Sequence, residues 1–268
     1  MVCRIIDGKK IADEIIKKAR SSIEKKNIKP ILTTILIGND ETSRLYVNLK
    51  EKACLEAGII VKKIEFSSNI NENEIIKKII ELNEKSDGIL VQLPLPNNLN
   101  QERILNSIDY KKDIDGLTSV SLGKLMNKEE KNAPCTAKAV IFVLEENKIE
   151  LKGKNIALIG SGNVGKPLSM MLLNRNATVN IYNEFTKDIK NLTLKADIVI
   201  SCVGHPEIIK KDMIKENAIV IDVGISKRND KVIGDVSHNV KERASIFCPV
   251  PGGIGPITIA MLITRLAK

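Results

Sequence analysis

Three glycines, Gly160, Gly162 and Gly165, follow the apolar run Ile156 to Ile159 and open into a helical pattern. This G-x-G-x-x-G spacing suits a turn for a dinucleotide. One glycine permits the tight bend, the next lets backbone approach the pyrophosphate, and the third lets helix and strand pack closely, with the phosphates at the positive helix end. Glycine turns after strands are common, so the pattern gains specificity from its surroundings. Elsewhere, Tyr46 and Lys50 stand four apart in a helical pattern, on one face and one turn from each other. Gln92 stands where an apolar run meets Pro94 and Pro96, and Asp113 and Asp115 share the polar loop Lys112 to Gly116.

Alternating elements must position these residues. Isoleucines and alanines at helical spacing predict a helix from Gly8 to Lys26, then a strand from Ile31 to Ile37, and a helix that Thr42 or Ser43 can cap and Gly58 stops. A strand at Ile59 to Phe66, a helix at Ile70 to Lys85 and a strand from Asp87 into the prolines complete a βαβ series. The prolines halt that strand at its carboxyl end, where ligands bind in open α/β sheets, and Gln92 sits there. A helix from Pro134-Cys135-Thr136 to about Asn147 leads to the glycine turn, and strands follow at Thr178 to Tyr182, Asp197 to Cys202 and Ala218 to Val223. Gly234-Asp235-Val236 reads as a turn, and the glycine/proline loop Pro249 to Pro256 precedes a last helix, Ile257 to Ala267. The fold class is therefore α/β. It comprises two βαβ-type domains, residues 1–136 and 137–255, the second of Rossmann type, with a cleft between them and residues 256–268 packing back on the first.

Composition narrows the function classes. The chain has 268 residues, 43% of them hydrophobic, enough for two ordinary domains. No apolar run approaches the roughly 20 residues of a membrane-spanning helix, and Met1 to Lys10 is charged, so a cytoplasmic protein with no membrane partner is expected. Five scattered cysteines lack C-x-x-C spacing, which predicts reduced thiols and no metal site. The net charge of +9 comes from lysines interleaved with glutamates, and only 3% of residues are aromatic, so nucleic acid is not the expected partner. His205 and His238 have no partner at triad or ligand spacing and read as structural or surface residues.

Four stretches, in order, resemble the bifunctional methylenetetrahydrofolate dehydrogenase/methenyltetrahydrofolate cyclohydrolases: Tyr46 to Lys50, Gly88 to Pro96, Lys112 to Gly116 and Pro249 to Thr258. The resemblance runs nearly end to end. It implies oxidation of methylenetetrahydrofolate with NAD or NADP, hydrolysis of the methenyl product to formyltetrahydrofolate, a homodimer and no metal. It further implies that Lys50 is catalytic, Gln92 orients it, Asp115 holds the pterin, and Tyr46, Pro251, Gly252 and Gly253 line the folate site. Gly160, Ser161, Gly162, Val164, Gly165, Gly204 and Ile225 would meet the cofactor. The chemistry suits these types: a lysine deprived of hydration is a proton carrier near neutrality, and a carboxylate takes charge-assisted hydrogen bonds from pterin N–H groups.

Taken singly, the same residues have ordinary readings as a solvated lysine, turn-forming aspartates, a packing tyrosine and a strand-end glutamine. The chain also departs from the family pattern. Ala137 and Ala139 replace a proline and a glycine after Pro134-Cys135-Thr136, Ser161 replaces an arginine, and Tyr182-Asn183-Glu184 replaces a C-H-S or C-H-R run. The family habit is NADP, whereas Ser161 and Glu184 favour NAD: Glu184 lies 22 residues after Gly162, about where a Rossmann acid bonds the ribose 2′-hydroxyl. Two rivals are another two-domain Rossmann dehydrogenase of the shikimate type and a non-catalytic folate- or nucleotide-binding relative.

Overall fold

The structure is a computed structural model and describes residues 2–228 and 231–268, without the side chain of Thr42. In chain order its elements are β1 (Arg4–Ile5), α1 (Gly8–Lys26), β2 (Ile31–Ile37), α2 (Glu41–Glu56), β3 (Ile60–Phe66), α3 (Glu72–Asn83) and β4 (Gly88–Val91). Then come α4 (Gln101–Asn106), α5 (Ser119–Met126), α6 (Cys135–Glu146), β5 (Asn155–Ile159), α7 (Gly165–Leu173), β6 (Thr178–Tyr182), α8 (Ile189–Thr193) and β7 (Ile198–Ser201). The last are β8 (Ile219–Asp222), β9 (Ser226–Arg228), β10 (Lys231–Ile233), β11 (Ile246–Cys248) and α9 (Ile254–Leu266). They form two compact units, one of Asp13–Cys135 with Ile259–Lys268, the other of Met1–Ala12 with Thr136–Thr258.

In the first unit three parallel strands pair in the order β3-β2-β4. Alternation along the strands sends Leu32 and Leu90 to one face, with Ala19, Ile23, Leu262 and Leu266, and Ile35, Ile37, Ile89 and Val91 to the other, with Ile75, Ile79 and Ile104. A Cβ on Gly88 would stand 2.9 Å from Leu266, so glycine there lets α9 lie close. In the second unit six strands pair in parallel, in the order β1-β11-β8-β7-β5-β6. The chain moves outward from β5 to β6 and then returns to the other side at β7, so the topological switch point lies between β5 and β7.

Both sheets begin with the same clamp. Asp87 donates its N–H to Ile31 O while its carboxyl accepts from Ile31 N, and Asp197 does both with Asn155. The strand expected from Asp87 into the prolines is therefore only Gly88–Val91, because Asp87 is spent on the clamp and proline has no N–H for a ladder. Asp40 caps α2, its carboxyl accepting from Ser43 N at 2.6 Å, so the cap is neither Ser43 nor Thr42. Residues 1–12 join the second unit, unlike the boundary drawn from sequence, because Arg4 and Ile5 pair with Ile246 and Phe247. The hairpin of β9 and β10 and the short β11 were not expected. Asn229 and Asp230, between β9 and β10, lie outside the described residues.

Arg265 of α9 donates to Asp113 O at 3.0 Å, Ile114 O at 2.8 Å and Ala133 O, tying the final helix to two loops. Arg265→Met keeps the aliphatic stem and removes a charged donor from three carbonyls, of which Ile114 O keeps the Cys135 thiol. With charged hydrogen bonds contributing about 1.5–3 kcal/mol each and partial compensation by water, a Tm lower by roughly 5–10 °C is expected in calorimetry. A Tm within one degree of wild type contradicts this role.

Candidate active site

Helix α2 is anchored by Val47 and Cys54, both fully buried, and burial pushes the Cys54 thiol up to about 12. That anchorage turns Tyr46 and Lys50 to a half-buried face, where burial raises the Tyr46 hydroxyl pKa. Lys50 Nζ donates to Gln92 Oε1 at 3.1 Å. Gln92 Nε2 donates to Leu93 O at 2.7 Å, which fixes the carboxamide with its oxygen toward the lysine. The lysine is thus held at the carboxyl end of β4.

Asp115 is half-buried in a loop that other residues hold. Asp113, 3% exposed, accepts from Gly116 N at 2.8 Å, Leu117 N at 3.2 Å and Thr118 N at 2.8 Å. Gly116 has φ +77°, and a Cβ there would lie 2.3 Å from Asn132 O, so no other residue fits. Cys135 Sγ donates to Ile114 O at 3.2 Å and Cys135 N to Asp115 O at 3.3 Å. Asp113, read from sequence as a turn former, is the loop's buried hub.

In the second unit the glycine turn has the geometry its spacing predicts. Gly160 has φ +113°, and a Cβ on Gly165 would lie 1.9 Å from Gly160 O, whereas one on Gly162 would meet nothing within 4 Å. The outer side of Gly162 is therefore open to a phosphate, and Val164, the residue before α7, puts no side-chain cap on the helix amides. These residues fit a dinucleotide. Half-buried Ser161 lies in the turn, and Glu184 is exposed just past β6. Arg175 pairs with Glu145 at 2.7 Å. Gly204 and Ile225 are neighbours: a Cβ on Gly204 would stand 3.5 Å from Ile225 O, and Ser226 Oγ donates to Gly204 O at 2.7 Å. Pro251 and Gly252 are exposed and Gly253 is buried, where the close approach of Gly253 O leaves no room for a Cβ on Gly8. Ala137 and Ala139 are fully buried in α6, His205 is exposed, and His238 stacks edge-on against Phe247.

Sequence reasoning missed Asp222 and Asp235, both fully buried at the carboxyl side of the second sheet. Gly234-Asp235-Val236 is a bend whose carboxyl faces inward, and the invariant cost of burying an acid gave no signal from so ordinary a tripeptide. Asp235 accepts from Ser201 Oγ, Val203 N, Gly204 N and His205 N at 2.7–2.9 Å. Asp222 accepts from Asp235 N and Val236 N, both at 3.0 Å. Burial pushes the Asp222 carboxyl up to about 7; the backbone N–H groups oppose this and Asp235 adds to it.

All five cysteines are free, and among the described residues no group of three or more His, Cys, Asp or Glu could hold a metal ion. Among the same residues no helix is long and apolar enough to cross a membrane. Residues 6–115 match the catalytic domain of tetrahydrofolate dehydrogenase/cyclohydrolase, and residues 134–268 match its NAD(P)-binding domain. The "Bifunctional protein FolD" of Methanococcoides burtonii is 44% identical, over 98% of this chain and 95% of that one. The bifunctional FolD methylenetetrahydrofolate dehydrogenase/cyclohydrolase of Campylobacter jejuni is similar in structure, with a TM-score of 0.95 and 38% identity over 99% of this chain and 98% of that one. The methylenetetrahydrofolate dehydrogenase-cyclohydrolase of Trypanosoma brucei, solved with NADP and an inhibitor, has a TM-score of 0.94 and 34% identity over 99% and 96%. With both domain families matched in order and relatives this similar across almost the whole length, the chain belongs to the tetrahydrofolate dehydrogenase/cyclohydrolase family.

Proposed function

We propose that this protein oxidises methylenetetrahydrofolate to methenyltetrahydrofolate with a nicotinamide dinucleotide and then hydrolyses the methenyl product to formyltetrahydrofolate. The observation that carries this reading is the oriented Lys50–Gln92 pair at the end of β4, in a chain of this family. The shikimate-type and non-catalytic alternatives lose ground to the same pair and to the family match across both domains.

Both reactions ask mainly for placement. The dinucleotide, when bound, supplies a nicotinamide ring that accepts the hydride. Gly160 to Gly165, with Ser161 and Val164 among them, and the start of α7 would hold its pyrophosphate, and Gly204 and Ile225 would meet another part of the dinucleotide. Asp115 accepts hydrogen bonds from the pterin, and Tyr46 packs against it. In hydrolysis, water adds to the cationic methenyl carbon and gives one proton to Lys50; as the C–N bond breaks and the formyl C=O forms, that proton passes to the freed nitrogen and the remaining hydroxyl proton leaves to solvent. Gln92 keeps the amine aimed throughout. The reading includes a homodimer, supported by the exposed Leu45, Leu49 and Leu55 of α2 and Ile60 of the edge strand β3.

Lys50→Met is expected to lower cyclohydrolase kcat at least about 100-fold, the usual contribution of a positioned proton carrier, and to leave folate binding within a few-fold. Asp115→Ala is expected to raise the folate KM and lower kcat/KM for both reactions by roughly one to two powers of ten. Absorbance assays of methenyltetrahydrofolate formation and loss check both. Wild-type hydrolysis by the Lys50 variant sinks its assignment, and unchanged kinetics in the Asp115 variant leave that residue only a turn former.

Cofactor choice follows from Glu184. Unit charges about 4 Å apart at an effective dielectric of about 20 repel by about 4 kcal/mol; exposure of Glu184 screens most of this, leaving roughly tenfold against the extra phosphate of NADP. Higher kcat/KM with NAD than with NADP is expected, with Glu184→Ser narrowing the gap. A clear wild-type preference for NADP in the same steady-state assay contradicts this role of Glu184 and leaves the folate reactions standing.

A further inference from the structure

The loop that leaves β7 runs along the switch point of the second sheet. Cys202 N donates to Ile159 O at 2.8 Å, and Cys202 Sγ lies under the glycine turn, 3.7 Å from Gly160 O. Val203, Gly204 and His205 present exposed outer faces there, yet their amides turn inward. All three N–H groups end on one carboxyl, that of Asp235, which Ser201 Oγ also meets at 2.8 Å. No helix or strand supplies these amides with partners, so the loop's shape depends on a residue some thirty positions further along the chain.

Two glycines make room for this arrangement. A Cβ on Gly224 would stand 2.0 Å from Asp235 Oδ1, and one on Gly234 would stand 1.8 Å from Asp222 Oδ2. Asp222, at the end of β8, in turn holds the backbone of Asp235 and Val236. A carboxyl that only accepts fits a ring of donors; an Asn carboxamide would turn its own donor onto one of the amides.

We propose that Asp235 is a positioning residue for the dinucleotide: through three backbone amides and Ser201 it holds the 203–205 loop in the shape that receives the nicotinamide half of the cofactor. This deepens the function proposed above and rests on it. Hydrolysis of the methenyl carbon involves no change of oxidation state and so no dinucleotide. Asp235 therefore serves one of the two reactions, which a purely structural residue would not do.

The test is calorimetric titration of full-length wild type, Asp235→Asn and Ser201→Ala with NAD and with NADP, beside cyclohydrolase assays on methenyltetrahydrofolate. Asp235→Asn is expected to weaken dinucleotide binding roughly tenfold to a hundredfold, and Ser201→Ala, which keeps three of the four hydrogen bonds, roughly threefold. Cyclohydrolase kcat/KM stays within about twofold in both, at the scale of a factor that costs little free energy. Ser201→Ala alone decides the matter if Asp235→Asn does not fold. Unchanged dinucleotide affinity, or parallel loss of affinity and hydrolysis, overturns the inference. A wild type that hydrolyses methenyltetrahydrofolate but binds neither dinucleotide overturns both the inference and the dehydrogenase half of the function, whereas binding without either activity overturns the function alone.

Discussion

A buried carboxyl that gathers backbone N–H groups holds a loop in each unit. Asp113 collects three amides around the loop of Asp115, and Asp235 collects three amides and a hydroxyl around the loop of Gly204. Loops at the carboxyl ends of parallel strands have no ladder to satisfy their amides, and an unpaired buried N–H is costly. A carboxyl with two oxygens can take several amides at once and fix the path of the chain between them. Burying it is expensive unless it is so satisfied, which makes the loop and the acid depend on each other.

The remaining architecture makes these hubs possible. Asp87 and Asp197 clamp the amino ends of the two sheets ahead of β4, which bridges through Ile89 to Asp113, and of β7, which delivers the Gly204 loop. Gly116, Gly224 and Gly234 are empty of side chain where the acids and neighbouring backbone need the space. Arg265 adds a charged anchor from the last helix to the carbonyl side of the Asp113 loop, so that both the donors and the acceptors of that loop are engaged. Placement of this kind suits hydride transfer and hydration, in which correctly held groups lower the barrier more than strong acids or bases do.

Much of this was legible in the sequence where the signal is local. The glycine turn could be read because its three roles fall within six residues, and the strands Ile31 to Ile37 and Thr178 to Tyr182 because their apolar runs are bounded by polar or glycine residues. The Tyr46 and Lys50 pair could be placed on one helical face, and Gln92 at a strand end, but their union at 3.1 Å is a tertiary fact. What escaped reading depends on distance along the chain. Arg4 and Ile5 find β11 more than two hundred residues away, and Asp235 finds amides some thirty residues earlier, so neither carries a periodic or spaced signature. Asp40 took the capping role expected of Ser43 or Thr42 because its carboxyl, immediately before Glu41, reaches the Ser43 amide in the first turn of α2.

The central physical claim is that these loops are held before any ligand arrives. Amide hydrogen exchange, followed by NMR in the free protein, measures it directly at Gly116, Leu117, Thr118, Val203, Gly204 and His205. Exchange at least roughly a thousandfold slower than in an unstructured peptide, an opening free energy of about 4 kcal/mol, is the predicted result, comparable to the adjoining residues of β4 and β7. Exchange at unstructured-peptide rates for either set of three amides would contradict the account, because a carboxyl that does not protect those amides does not hold the loop.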